Sequence, residues 1–254
     1  MILKGKKALI LGAANERSIA WSIAQTFHQE GAEIGLTYLN EKLKTRVEAL
    51  STEVHSKIFS ELDVSQDDHF ENLQKEIQKK WGKFDILVHS IAFANKEDLV
   101  NKTSATTKEG FLLAHEISVF SLLKSVKFLK SFMNPGGSII TLTYIGSQKV
   151  IPNYNVMGIA KAALESSVRY LAYELGEQNI RINALSPSPI KTLAASAIPG
   201  FSELLNSLEE KSPLKNSVKA QDVANVAVFF GSNLSEKVTG QVLLIDCGLS
   251  ILGL

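Results

Sequence analysis

Tyr154 and Lys161 stand seven residues apart in the run Tyr154-Asn155-Val156-Met157-Gly158-Ile159-Ala160-Lys161. In a helix, seven steps of about 100° bring the lysine back to within about 20° of the tyrosine, two turns further on. Both side chains then face one cleft. Tyr144 adds a third polar group, just past Thr143 at the end of a short apolar run. A Tyr–Lys pair on one helical face is most often an accident of composition. It gains weight here because the helix begins beside an edge where other residues suit a dinucleotide.

The first of those residues lie in Gly12-Ala13-Ala14-Asn15-Glu16-Arg17-Ser18-Ile19, where an apolar run gives way to a helical pattern near Ser18. Free N–H groups and the positive end of the helix dipole suit a pyrophosphate, and the Ser18 hydroxyl can add a donor. A plain N-capped turn would look the same, and the run lacks G-x-G-x-x-G. The stretch Tyr38-Leu39-Asn40-Glu41-Lys42 follows a second apolar run, the place that meets an adenine ribose in such sites. An acidic residue there favours a 2′-hydroxyl and a basic one a 2′-phosphate. Leu39 does neither, and Lys42 and Lys44 read as solvated helix charges. At Asp63-Val64 a carboxylate can accept from an adenine amine or simply start a turn. Small residues in Ser90-Ile91-Ala92-Phe93-Ala94 let backbone approach a cofactor ring. His28, His55, His69, His89 and His115 show no metal-ligand spacing. Cys247 reads as a half-buried residue at a strand end, and neither a Ser-His-Asp order nor a Walker loop is present.

The elements that must position these groups alternate along the chain. Strands are predicted over 7–12, 33–38, 58–62, 84–90, 137–143, 180–185 and 242–246, and helices over 18–30, 43–50, 70–81, 108–132, 154–176 and 222–230. Strand–helix alternation at this spacing argues an α/β fold with a seven-stranded parallel sheet and helices on both faces. Right-handed crossovers favour the doubly wound, Rossmann-type arrangement in one domain, 1–254. Gly31, Gly82, Gly136-Gly137 and Gly176 fall where helices should end. The irregular stretch is 186–216, with four prolines and a weak helical pattern over 201–208. A long, weakly patterned insertion after a strand predicts a substrate lid, about 191–211, mobile until ligand binds.

Composition excludes several function classes. The net charge of +1 gives no electrostatic reason to expect nucleic acid or an anionic membrane as partner. No apolar stretch approaches the ~18 residues of a membrane span. The basic start at 1–7 and the short run 8–11 faintly resemble a leader peptide, but Gly12 and the polar residues after it end the run, and a first core strand explains it better. A single cysteine excludes an internal disulfide and is compatible with a reducing cytoplasm.

Gly12 with Ser18-Ile19-Ala20, His89-Ser90-Ile91, Ile151-Pro152-Asn153-Tyr154-Asn155-Val156-Met157-Gly158 with Ala160-Lys161-Ala162, and Pro189-Ile190-Lys191-Thr192-Leu193-Ala194-Ala195-Ser196 together resemble the enoyl-acyl-carrier-protein reductases of bacterial fatty-acid synthesis, a divergent branch of the short-chain dehydrogenase/reductases. The resemblance covers residues 5–251. The usual short-chain dehydrogenase spaces tyrosine and lysine by four. Here Gly158 holds the fourth position, the lysine the seventh, and Tyr144 stands upstream, as in the enoyl reductase branch. The resemblance implies that Tyr144 and Tyr154 are the active-site tyrosines and that Lys161 holds the nicotinamide ribose. It implies cofactor contacts from Gly12, Ser18, Ile19, Leu39, Asp63, Val64, Ser90, Ile91, Ile190, Lys191, Thr192, Leu193 and Ala194, and a substrate contact from Ala94. It also implies NADH as cofactor, NADPH being possible, an enoyl chain carried on acyl carrier protein as substrate, a homotetramer and a cytoplasmic enzyme. Leu39 stands where many members carry a polar residue. Ala92, Ser188 and Cys247 stand where glycine is common, and each loss of glycine restricts positive φ, so a re-shaped pocket is expected. Acidic carrier should meet little local attraction on Ile198-Pro199-Gly200-Phe201-Ser202-Glu203-Leu204-Leu205, although Lys191, Lys211 and Lys215 offer a displaced basic patch. The alternatives are a short-chain carbonyl or alcohol dehydrogenase, opposed by the spacing of seven, and a non-catalytic dinucleotide-binding paralogue, opposed by the intact tyrosines and lysine.

Overall fold

Five consecutive residues, Lys-Ala-Leu-Ile-Leu, make β1 (Lys7–Leu11), and four of the five are fully buried. Leu9 and Leu11 point into one apolar layer and Ala8 and Ile10 into the other. A strand covered on both faces reads as an unbroken apolar run rather than an alternating one. β2 (Glu33–Tyr38), β4 (Phe84–His89) and β6 (Arg181–Pro187) are likewise buried along most of their length, although β6 buries Arg181, Asn183 and Ser186 among its apolar residues. With β3 (Ile58–Glu61), β5 (Met133–Leu142) and β7 (Val242–Ile245) they form one parallel sheet in the order β3-β2-β1-β4-β5-β6-β7. The computed structural model describes residues 1–191 and 201–253.

Helices cover both faces. Against one lie α3 (Asp67–Lys80), α6 (Ser121–Leu129) and α7 (Asn155–Gly176), which bury Leu73, Ile77, Leu122, Val126, Leu164 and Val168. Against the other lie α1 (Ile19–Gln29), α2 (Glu41–Glu53) and α9 (Ala220–Gly231), which bury Ile23, Phe27, Val47, Leu50, Val223 and Phe230. The expected doubly wound sheet is therefore what the chain adopts. Its strand order reverses between β1 and β4, and ligands of such sheets bind outside the carboxyl ends at that point.

Three details differ from the sequence pattern. The helix expected over 108–132 is broken into α5 (Lys108–His115), a π turn at Glu116–Phe120, α6 and a 3-10 turn at Lys130–Phe132. Side chains tie the widened turn to neighbouring backbone. Ser118 Oγ accepts from Phe93 N (3.0 Å) and donates to Phe93 O (3.1 Å), while Ser121 Oγ donates back to Ile117 O. Such turns are frequent at functional sites. Gly136 and Gly137 do not end a helix; they lie inside β5, where Gly136 takes φ +82° and its N–H donates to Asn179 O. The short α4 (Lys96–Val100) is too brief to show a period, and α8 (Phe201–Lys211) runs a turn beyond its weak pattern. Among the described residues no helix is long and apolar enough to cross a membrane, and no cluster of His, Cys, Asp and Glu is arranged to hold a metal.

Candidate active site

At the carboxyl ends of β1 and β4 opens a cleft of about 500 Å³, lined by Gly12, Leu39, Asp63, Val64, Ser90 and Ile91 with their neighbours. Six expected cofactor positions, spread over eighty residues, thus meet in one place. Gly12 makes the meeting possible. It sits at φ +94°, and a Cβ there would overlap the carbonyl oxygen of Ser90. Asp63 Oδ1 accepts from the N–H and hydroxyl of Ser65 (2.9 and 2.7 Å), and its own N–H donates to His69 Nδ1 (3.0 Å). Leu39 is 46% exposed at the mouth. Lys44 is held by Glu41 at 3.2 Å. Burial raises the Tyr38 hydroxyl above the ordinary tyrosine value, with Lys44 opposing and the nearby glutamates adding to the rise.

The remaining expected contacts lie beside this cleft rather than in it. Ser18 caps α1: its Oγ accepts from Trp21 N and donates to Asn15 O, so its proton is already committed. Ile19 packs against the α1 layer. Ile190 and Lys191 line a neighbouring cavity of about 430 Å³ with Arg17 and Glu209. Thr192, Leu193 and Ala194, and with them nine of the twenty-one residues of the expected lid, lie outside the described residues. Phe93, not Ala94, lines the cleft; Ala94 packs on the α6–α7 layer.

Next to the cleft, the end of β5 and the start of α7 bring the tyrosines together. Their rings meet edge to face, with centroids 5.0 Å apart. Burial pushes the Tyr144 hydroxyl up to about 12, and holds that of Tyr154 far above the tyrosine range, with Tyr144 and Glu165 adding to the rise. Both phenols are therefore protonated donors at neutral pH. Lys161, 6% exposed, donates to Leu142 O at 2.8 Å. Burial pushes its pKa down to about 8, against the pull of Glu165. His89, at the end of β4, contacts Thr141 Oγ1 and Ser121 Oγ and is held neutral by burial and by Lys161, its pKa lowered to about 3. The spacing of seven has a steric basis. A Cβ at Gly158 would lie 2.8 Å from the carbonyl oxygen of Gly146, and one at Gly146 would lie 2.6 Å from the Tyr154 ring. The position four after Tyr154 is pressed against backbone, so a lysine there has no room to start. Tyr144 also lines a largely apolar cavity of about 620 Å³ with Ile145, Pro187, Leu208, Lys149 and Lys211.

The family model described as Enoyl-(Acyl carrier protein) reductase matches residues 12–250. The Rickettsia felis protein named enoyl-[acyl-carrier-protein] reductase [NADH] FabI is 50% identical over 252 residues, 99% of this chain and 97% of its own length. The chain belongs to the enoyl-acyl-carrier-protein reductase family. The solved Aquifex aeolicus reductase superposes with TM-score 0.96 at 45% identity, covering all of both chains. That from Anaplasma phagocytophilum, solved in complex with NAD, gives 0.96 at 40% identity, covering all of this chain and 97% of its own.

Against this family background, the three glycine losses are not equivalent. Cys247 alone takes a left-handed backbone, φ 54°; Ala92 and Ser188 are not among the positive-φ residues. Left-handed strain therefore falls on Cys247 alone of the three, while Ala92 adds its methyl group to the lining of the cleft. The Cys247 turn is braced by Asp246, whose carboxylate accepts from Gly248 N and Ser250 N. Sequence reasoning missed four residues that fasten the site: His69 beneath Asp63, Ser118 beneath Phe93, Asn155 and Glu165. Asn155 Nδ2 donates to Leu99 O and Asn101 O, both at 2.6 Å, tying the end of α4 to the start of α7. Only Glu165 carried a signal, being one helical turn beyond Lys161.

Proposed function

We propose that this chain reduces the trans-2 double bond of enoyl-acyl-carrier-protein thioesters with NADH during fatty-acid elongation, through the residues assembled at the β5–α7 corner. The observation that carries this reading is the seven-residue Tyr154–Lys161 spacing, seated where Gly146 and Gly158 touch. The cleft suits the dinucleotide: Gly12 supplies backbone without a side chain, and α1 presents its N-terminus beside it. Gly12, Leu39, Asp63, Val64, Ser90, Ile91 and Lys161 would hold the cofactor, with Ser18, Ile19, Ile190 and Lys191 at its flank and the run 192–194 completing the contact. NADH, when bound, supplies the hydride that reaches Cβ of the enoyl chain.

The protein's part is electrostatic. As charge builds on the thioester oxygen, the protonated Tyr154 hydroxyl donates a hydrogen bond to it, and a proton taken up at Cα, ultimately from solvent, then completes the reduction. Lys161 orients the ribose and adds positive potential to the same corner. Tyr144 packs edge-on against Tyr154 at the same corner. The apolar cavity beside Tyr144 accommodates the acyl chain, with Ala94 near the reacting end. Lys211 on its lining, with Lys191 and Lys215, offers an acidic carrier the displaced basic patch, Lys149 adds a further positive charge, and 191–211 serves as its lid. NADH is preferred to NADPH, because Lys44 is engaged by Glu41 and Leu39 cannot pair with a 2′-phosphate.

We also propose one domain over 1–254 and a cytoplasmic homotetramer. Leu112, Phe120, Tyr170, Tyr173, Leu234, Leu243, Leu244 and Ile251 are all exposed. So many large apolar side chains at the surface suit burial between copies of the chain. Loss of reduced-nicotinamide absorbance with a short enoyl thioester, and none with a simple ketone, tests the reading. The reverse preference would favour a carbonyl reductase, and no turnover with either a non-catalytic paralogue.

A further inference from the structure

Glu165 is a buried carboxylate, 5% exposed, that the mechanism above does not use. It lies one helical turn past Lys161 on the same face of α7. Its partners come from one short stretch of chain. Oε1 accepts from Thr143 Oγ1 at 2.7 Å and from Ser147 Oγ at 2.6 Å, and Oε2 accepts from Gln148 Nε2 at 3.3 Å. Lys161 grips the residue just before, donating to Leu142 O. Residues 142, 143, 147 and 148 are therefore all fastened to α7, and Tyr144 sits between the fastened points. Tyr144 itself is placed by ring packing on Tyr154, a contact that fixes little on its own. A buried carboxylate is costly unless several donors satisfy it. Here the donors are side chains of the turn, so the cost is offset only when the turn is docked.

We propose that Glu165 is a positioning residue, its carboxylate holding the 143–148 turn, and so Tyr144, in register with Tyr154 and Lys161. The proposal rests on the reading above for what the register serves. Its mechanical content is independent of that reading. Bonds from both ends of the turn converge on one carboxylate group, so losing it releases three side-chain ties at once and leaves the turn to backbone bonds such as Thr143 N–H to Leu185 O. Misplacement of a catalytic group by about 1 Å can cost up to about a hundredfold in rate.

The test compares Glu165→Ala, Glu165→Gln and Ser147→Ala with the full-length wild type. Glutamine keeps an acceptor oxygen for Thr143 and Ser147 and loses only the charge; its amide nitrogen meets Gln148, whose own amide can turn to accept. Glu165→Ala should lower kcat between about ten- and a hundredfold, with NADH dissociation, read by cofactor fluorescence, changed by less than about twofold. Glu165→Gln should recover kcat to within about threefold of wild type, the amide still making the two shorter bonds. Amide hydrogen exchange over 143–149 should speed up in Glu165→Ala, stay slow in Glu165→Gln and fall between in Ser147→Ala. Exchange needs no turnover, so a chain inactive on enoyl thioesters would overturn the functional reading and still decide this one. Should Glu165→Ala fail to fold, Ser147→Ala decides: wild-type exchange and kcat in that variant would overturn the proposal. Equal loss in the alanine and glutamine variants would overturn it as well, because charge and not fastening would then be at work.

Discussion

Around the β1–β4 cleft the chain presents mostly backbone and small or apolar side chains: Gly12, Ala13, Leu39, Val64, Ile91. At the adjoining β5–α7 corner it presents ionisable groups instead. Tyr144, Tyr154, Lys161, Glu165 and His89 are partly or wholly buried, each with its pKa displaced or its oxygens taken by neighbours. The cleft is shaped by what is left out, and the corner by what is put in. Added volume should therefore damage the first, and altered hydrogen bonding or charge the second.

The largest effect is expected at the corner. In the proposed mechanism Tyr154→Phe removes only the donor to the developing oxyanion, so kcat should fall by about 10²–10³, with NADH affinity nearly unchanged. Lys161→Met should lower kcat and weaken NADH binding together. Equal loss of NADH affinity in both variants would erase the division of roles between the two residues. In the cleft, Gly12→Ala asks for a left-handed alanine against the Ser90 carbonyl. It should cost about 1–3 kcal/mol, seen as a lower Tm and weaker NADH binding, with the kcat of saturated enzyme less affected than in Tyr154→Phe. A Gly12→Ala protein with wild-type Tm and NADH affinity would show that the cleft is not shaped by exclusion.

Lys161 also gives the corner a pH signature. Its folded-state pKa of about 8 lies below the ordinary lysine value of 10.5. Between those values the unfolded chain binds more protons, so stability rises with pH across that window and is lost as pH falls through about 8. NADH affinity should move the other way, weakening above about 8 as the positive potential disappears. Thermal melts and NADH titrations from neutral to alkaline pH should show the opposed trends in wild type and neither in Lys161→Met. The smallest effect is expected outside both regions. Cys247→Gly relieves a left-handed cysteine, worth about 1–2 kcal/mol, against about 0.4–1 kcal/mol of added unfolded-state entropy. A net gain near 0.5 kcal/mol should raise Tm by about 1–2 °C and leave kcat alone.

The parts of this architecture that were legible in the sequence are those written in local pattern. Apolar runs such as Lys-Ala-Leu-Ile-Leu give the strands, and the 3.6-residue period puts Tyr154 and Lys161 on one face. The π turn at Glu116–Phe120 was not legible, because one widened turn leaves a helical composition unchanged. The fastening residues were hidden for another reason: His69, Ser118, Asn155 and Glu165 act on partners in other elements, the Ser118–Phe93 pair being twenty-five residues apart. Likewise, three lost glycines can be counted from sequence, but only the backbone identifies Cys247 as the left-handed one.

The central claim is that this corner steers reduction to the carbon–carbon double bond of an enoyl thioester and not to a carbonyl. Reduction with NADH carrying deuterium at the transferable nicotinamide position, followed by mass spectrometry of the product, tests it directly. The account predicts a saturated thioester with one deuterium, at Cβ. Deuterium on the former thioester carbon, in an aldehyde or alcohol product, or a saturated product free of deuterium, would contradict it.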